Sequence, residues 1–269
     1  MTTAVALGAL VGLVLALTGA GGGSLAVPLL IFALGMNVSQ AAPVALFAVG
    51  LAAMIGAAFG LRAGHVRYRA AALMAGVGFL GAPVGWYLGR HIPNGPLTLI
   101  FAAVLAYTSL RMLRPAGQAA AAAALPLARL PPCRLDPVEG RLHWTAACAR
   151  ALGSAGFAAG VLSALLGVGG GFVIVPALLR VSDLDMPSVS VTSMSVIALV
   201  AVASIAIYGY AGQEIDWRIA APFAAGALAG VLGGRQLARR LPGARLQQAF
   251  ACIGLIVVAM LLWRSLARA

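Results

Sequence analysis

A chain of 269 residues that is 62% hydrophobic and only 9% charged is not an ordinary soluble domain, in which about a quarter of the residues carry charge. Its basic residues are all arginine and stand singly or in small groups between apolar runs, so the net charge of +12 reads as membrane topology and not as a nucleic-acid surface. Cys133, Cys148 and Cys252 are widely spaced, form no C-x-x-C pair and offer no metal site; no cofactor is implied either.

In chain order, residues 4–18 and 25–35 are apolar runs of about 22 and 16 Å if helical. The first run lacks a basic flank and continues past the glycines, so a cleavable signal peptide is not expected. Between the runs stands Gly19-Ala20-Gly21-Gly22-Gly23-Ser24, and Pro28 follows. One straight helix over 4–35 would far exceed a hydrocarbon core of about 30 Å. Glycine also disfavours a helix interior, so two joined half-helices are expected. Such irregular backbone survives at membrane depth only inside protein or along a wet cavity.

Full-length helices are expected at 39–61, 70–90 and 95–113. A stretch rich in alanine, proline and arginine follows, so the chain divides into a first membrane repeat at 1–114, a linker at 115–147 and a second repeat at 148–269. The second repeat has half-helices at 149–166 and 172–181, then helices at 188–211, 218–240 and 245–266.

The two halves are copies. Gly167-Val168-Gly169-Gly170-Gly171-Phe172 with Pro176 matches the first glycine stretch in G-x-G-G-G-x-x-x-V-P-x-L, at a constant offset of 148 residues. Ala63-Gly64 and Ala211-Gly212 keep the same offset. Gly81, Gly85 and Gly89 match Gly226, Gly230 and Gly234 after a small gap, a spacing that brings helices close together.

Charge orients the copies. The loop at 62–69 holds three arginines and no acid, whereas its twin at 212–218 holds Glu214 and Asp216 against Arg218. If each broken segment is a re-entrant hairpin, fourteen of the eighteen arginines fall on one side; positive-inside bias then makes that side cytoplasmic. The expected fold is an all-α polytopic membrane protein of two inverted repeats. Each repeat is a glycine-broken half-helix segment plus three transmembrane helices, with both termini outside. A bacterial inner membrane fits this multi-pass chain.

A half-helix beginning inside a membrane presents unpaired N–H groups and the positive end of its dipole, which together favour an anion. Gly21, Gly22, Gly23, Gly169, Gly170 and Gly171 leave those groups uncovered, with Ser24 adding a hydroxyl and Phe172 a wall. Gly19, Gly167, Pro28 and Pro176 are the expected helix breaks. Asn37, Gln40, Thr192 and Ser193 are polar candidates to complete the site. Close packing at a crossing point is the plainer role for the glycines. Helix gluing is the plainer role for the hydroxyls. All six acids fall in loops or at helix ends, so no buried carboxylate relay is expected. Enzyme motifs fail in detail: Ser24 and Phe172 occupy the last glycine position of G-x-G-x-x-G, and no H-E-x-x-H occurs.

With these residues in hand, the sequence resembles the sulfite exporter TauE/SafE-like family of membrane transporters. The match rests on the two glycine stretches, on Thr192-Ser193 and on Ala211-Gly212 through Trp217. The resemblance implies a small transporter moving sulfite, organosulfonates or related small organic anions, often outward. The first half departs from it, with Val44-Ala45 where the second has Thr192-Ser193. A channel-like pore and a non-transporting membrane scaffold stay open as alternatives. The expected partners are a small anion, the lipid bilayer and a possible second copy of the chain.

Overall fold

In apolar surroundings backbone groups must bond within the chain, and helices achieve this segment by segment. The computed structural model describes residues 2–19, 21–113, 133, 144–213, 215–238, 252 and 254–260. The helices are α1 (Thr2–Thr18), α2 (Gly21–Leu34), α3 (Val38–Arg62), α4 (Tyr68–His91), α5 (Asn94–Leu113), α6 (Ala146–Leu166), α7 (Gly171–Val181), α8 (Met186–Tyr210) and α9 (Trp217–Ala238). Residues 254–260 are also helical. Most of the linker at 115–147, and much of the helix expected at 245–266, lie outside the described residues.

Among the described residues, four helices, α3, α4, α6 and α8, are long and apolar enough to cross a membrane. The half-helix expected at 149–166 needs correcting, because α6 has 21 residues and is therefore about 31 Å long. It starts early because Thr145 caps it, its side-chain oxygen accepting from Cys148 N at 3.1 Å. The break therefore falls at the end of a full-length helix. Placement of the glycines also differs between halves. Gly21, Gly22 and Gly23 form the first turn of α2, and Gly19 stands outside a helix there. In the second half Gly167, Gly169 and Gly170 have φ of +71°, +75° and +68°, which side chains rarely adopt.

Each broken segment folds back as a hairpin. A Cβ on Gly22 would lie 2.5 Å from Leu15 Cβ and 2.6 Å from Val11 O, both one to three turns back along α1. Gly170, its equivalent, would meet Ala159 O at 2.6 Å, and Ala159 is the equivalent of Val11. At the open end of the second hairpin, Cys133 N donates to Val181 O at 2.9 Å. Cys133 is also joined by a disulfide to Cys148 in the first turn of α6.

The halves then grip each other. α1 lies along α9 and α4 along α6. Glycines are required at these seams: Gly8 and Gly12 face Phe223 and Ala227, while Gly81 and Gly85 face Phe157 and Val161. These pairs climb together, so both seams are parallel. Between them α3 packs on α8 in the opposite sense, Gly50 meeting Ala201, Gly56 meeting Met194 and Gly60 meeting Val191. α3 and α8, which are equivalent in the two halves, are thus antiparallel. Contacts also correct the alignment of α4 with α9. Gly81 meets Phe157 and Gly230 meets Ala9, two positions separated by 148, so Gly81 corresponds to Gly230 and not to Gly226. Glycines every fourth residue look the same after a shift of one turn.

One end of the bundle gathers the loop after α3, the start of α6 and the end of α9. There Arg69 stacks on Trp144 with its guanidinium 5.9 Å from the ring centre, Arg235 on Phe59 at 4.0 Å, and Arg67 N donates to Thr192 Oγ1 at 3.1 Å. At the other end Gln213 Nε2 donates to Ser39 O at 3.2 Å, and Phe47 meets Trp217 edge-on.

Candidate functional site

The two breaks meet inside the protein. A Cβ on Gly23, in the first turn of α2, would run into the carbonyl oxygen of Val168 in the second break. Gly169 lies beside Val49 and Ile197, which are equivalent residues of α3 and α8. Gly19 packs against Ser190, and Gly167 against Ala42, the equivalent of Ser190. Contacts at the junction are therefore reciprocal. Gly22, Gly23, Ser24, Pro28, Gly167, Gly169, Gly170, Gly171 and Phe172 are all buried there, and Pro176 is half-buried.

Two features leave backbone groups free at the start of α7. Gly170 caps α7 with no side-chain hydrogen bond, and Val173 N donates to Gly170 O at 3.0 Å, so the N–H groups of Gly171 and Phe172 are left with neither a side-chain cap nor an intrahelical partner. Pro176 lacks an N–H and cannot bond the carbonyl of Phe172 one turn earlier, which loosens the start of α7. Pro28 does the same to Ser24 in α2.

The polar candidates divide. Ser193 lies on α8 beside the first break, and its hydroxyl reaches Gly19 O and, at 2.9 Å, Ser190 O. A serine hydroxyl has one proton, which here goes to carbonyls. Ser193 therefore pins the first break, a role Ala45 cannot reproduce on the second. Thr192 is fully buried and accepts from Arg67 N, tying α8 to the start of α4. Asn37 and Gln40 are exposed at the start of α3, where Gln40 Oε1 accepts from Asn37 N at 3.3 Å. They serve as a helix start, and the structure does not place them in the buried junction.

A buried polar group next to the second break was not among the sequence candidates. Ser163, one turn before Gly167 on α6, is fully buried, and its hydroxyl has no partner among the described residues. The offset of 148 pairs it with Leu15, and that exchange of a leucine for a serine was legible. Among the acids, Asp183, Asp185 and Asp216 lie between helices, while Asp136, Glu139 and Glu214 lie outside the described residues.

Comparison with known proteins decides the family. Residues 4–261 match the family described as sulfite exporter TauE/SafE, which is nearly the whole chain. The chain belongs to the TauE/SafE family. A protein of Xylella fastidiosa strain Temecula1, described as a probable membrane transporter protein, is 33% identical over 262 residues, covering 96% of this chain and 93% of the relative. Its counterpart in strain 9a5c, with the same description, is 34% identical over 265 residues at the same coverage. No solved structure matches the chain. Family and relatives together make this TauE/SafE member a multi-pass membrane protein with a transporter's function.

Proposed function

We propose that this TauE/SafE chain is a carrier for a small anion, of the class of sulfite, an organosulfonate or a related small organic anion, and that it works as an exporter. The observation that carries the reading is the buried meeting of the two breaks, with Gly23 against Val168 and α7 starting uncapped beside them. A helix N-terminus there favours an anion without a full positive charge. Discontinuous helices meeting between inverted halves are the usual carrier site. Saturable uptake by proteoliposomes, screened over sulfite, sulfonates and small carboxylates, tests the proposal. Flux of at least one of these above protein-free vesicles is expected, and none above that baseline would leave a membrane scaffold.

The same reading places the halves in opposite senses across the membrane. Antiparallel α3 and α8, together with the reciprocal contacts at the breaks, support it. The arginine-rich end then faces the cytoplasm and the termini face outward. That puts the Cys133–Cys148 bond on the cytoplasmic side, where thiols are normally kept reduced. Arginine bias and disulfide thus point opposite ways. We favour the arginines, because they act during insertion and the bond forms afterwards. In whole cells, an impermeant maleimide should label a cysteine placed at Gly212 and spare one at Gly64. Thiols at Cys133 and Cys148 should be free in resting cytoplasm. Labelling of both loops from the same side would defeat the inverted arrangement.

A further inference from the structure

We infer that Ser163 is a substrate-contact residue, whose hydroxyl donates to an oxygen of the bound anion beside the uncapped start of α7. This rests on the carrier reading above. It makes the second hairpin, not the pair equally, the oxyanion-binding half.

The argument starts from a cost. A hydroxyl buried without a partner is destabilising, because it loses its bonds to water and gains none. Ser163 is fully buried, and its oxygen is unpartnered among the described residues. Two other buried serines avoid the cost. Ser182 donates to Leu178 O at 2.6 Å and Ser204 to Val200 O at 2.9 Å, each one turn back along its own helix. Ser163 does not use that route.

Its direction follows from the repeat. Leu15 N-terminal to the first break and Ser163 N-terminal to the second are equivalent, and each backbone carbonyl accepts from the break glycine, Gly19 or Gly167, at 2.8 Å. In the first hairpin the Leu15 side chain lies directly against Gly22, whose equivalent is Gly170, the cap residue of α7. Ser163 also stands four residues after Ala159, the residue that Gly170 packs on, and side chains four apart share a helix face. The hydroxyl therefore sits on the face of α6 turned to the start of α7. A hydroxyl donor and the first N–H groups of a helix converge there, and both suit a small oxyanion such as a sulfur oxyanion, a sulfonate or a carboxylate. Leucine at the equivalent place gives the first hairpin no such donor.

The test uses full-length protein in proteoliposomes, with sulfite and a short-chain sulfonate as the probes, and reads KM, maximal flux and thermal unfolding. In Ser163→Ala the KM should rise about tenfold, the loss expected for a hydrogen bond to a charged group. Maximal flux should stay within about twofold and the unfolding temperature should not fall. Ser163→Cys keeps the shape but weakens the donor, and should follow Ala. Ser109→Ala, at the other fully buried serine without a partner among the described residues, which faces Gly254, should leave KM unchanged. A wild-type KM in both Ser163 variants, or a lowered unfolding temperature with KM unmoved, would overturn the assignment while leaving the carrier reading intact. Absence of saturable flux in the wild type would remove both.

Discussion

Replacing Gly170 or Gly23 by leucine is expected to reduce anion flux to the level of protein-free vesicles, with the protein still inserted in the membrane. At Gly170 two costs combine. The residue has φ +68°, which costs an L-residue about 1–2 kcal/mol, and its new Cβ would stand 2.6 Å from the carbonyl of Ala159. Relieving that clash would push α7 away from α6 at the helix start proposed to hold the anion, with overpacking adding about 1–3 kcal/mol. Gly23 has an ordinary helical backbone, but its Cβ would strike Val168 O across the junction of the two hairpins. Both variants therefore damage the same point by different physics. Gly22→Leu, against Leu15 within its own hairpin, should behave likewise. Gly76→Ala supplies the contrast, since nothing lies within 4 Å of a Cβ there. Helix propensity alone should make that variant neutral or up to about 1 kcal/mol more stable. Equal flux in the Gly170→Leu, Gly23→Leu and wild-type proteins would show that the junction does not form the site.

Export should follow the membrane potential and need no coupling ion. The described acids, Asp183, Asp185 and Asp216, lie between helices, so the helices offer no carboxylate for a proton or sodium ion. With the cytoplasm negative, each negative charge moved outward gains about 2.3 kcal/mol per 100 mV. A divalent anion would gain about twice that, enough for a gradient of roughly a thousandfold or more at 1.4 kcal/mol per decade. In vesicles clamped with potassium and valinomycin, without sodium or pH gradients, flux should reverse with the sign of the clamp. Flux indifferent to the clamp but driven by an imposed proton or sodium gradient would exclude uncoupled export.

How the sequence foreshadowed these sites depends on what each feature needs. The glycine stretches were legible because backbone breaks leave a compositional trace, and the constant offset of 148 identified equivalent residues such as Gly19 and Gly167. Ser193 was legible as a polar candidate for the site, and its proton is committed to the Gly19 and Ser190 carbonyls. Asn37 and Gln40 stand at the exposed start of α3, since polar residues after an apolar run fit a helix start as well as a ligand site. The Cys133–Cys148 pair was hidden, since it depends on α7 folding back beside the start of α6, and spacing along the chain does not show that. Register between α4 and α9 was hidden for another reason: a glycine every fourth residue matches itself one turn away. Ser163 was visible only as an apolar-to-polar exchange, and its meaning needed the hairpin geometry.

Entrance counterflow is the most direct measurement of the central claim that this chain carries an anion by alternating access through the junction of its two hairpins. Proteoliposomes loaded with excess unlabelled sulfite, or with whichever anion the screen finds, are diluted into a trace of labelled anion with the potential clamped at zero. A carrier exchanges label inward against the outward gradient, so the label should accumulate transiently above its equilibrium level and then decay. Label that rises only to equilibrium, without an overshoot, would contradict the carrier account and leave an open anion pore through the same fold.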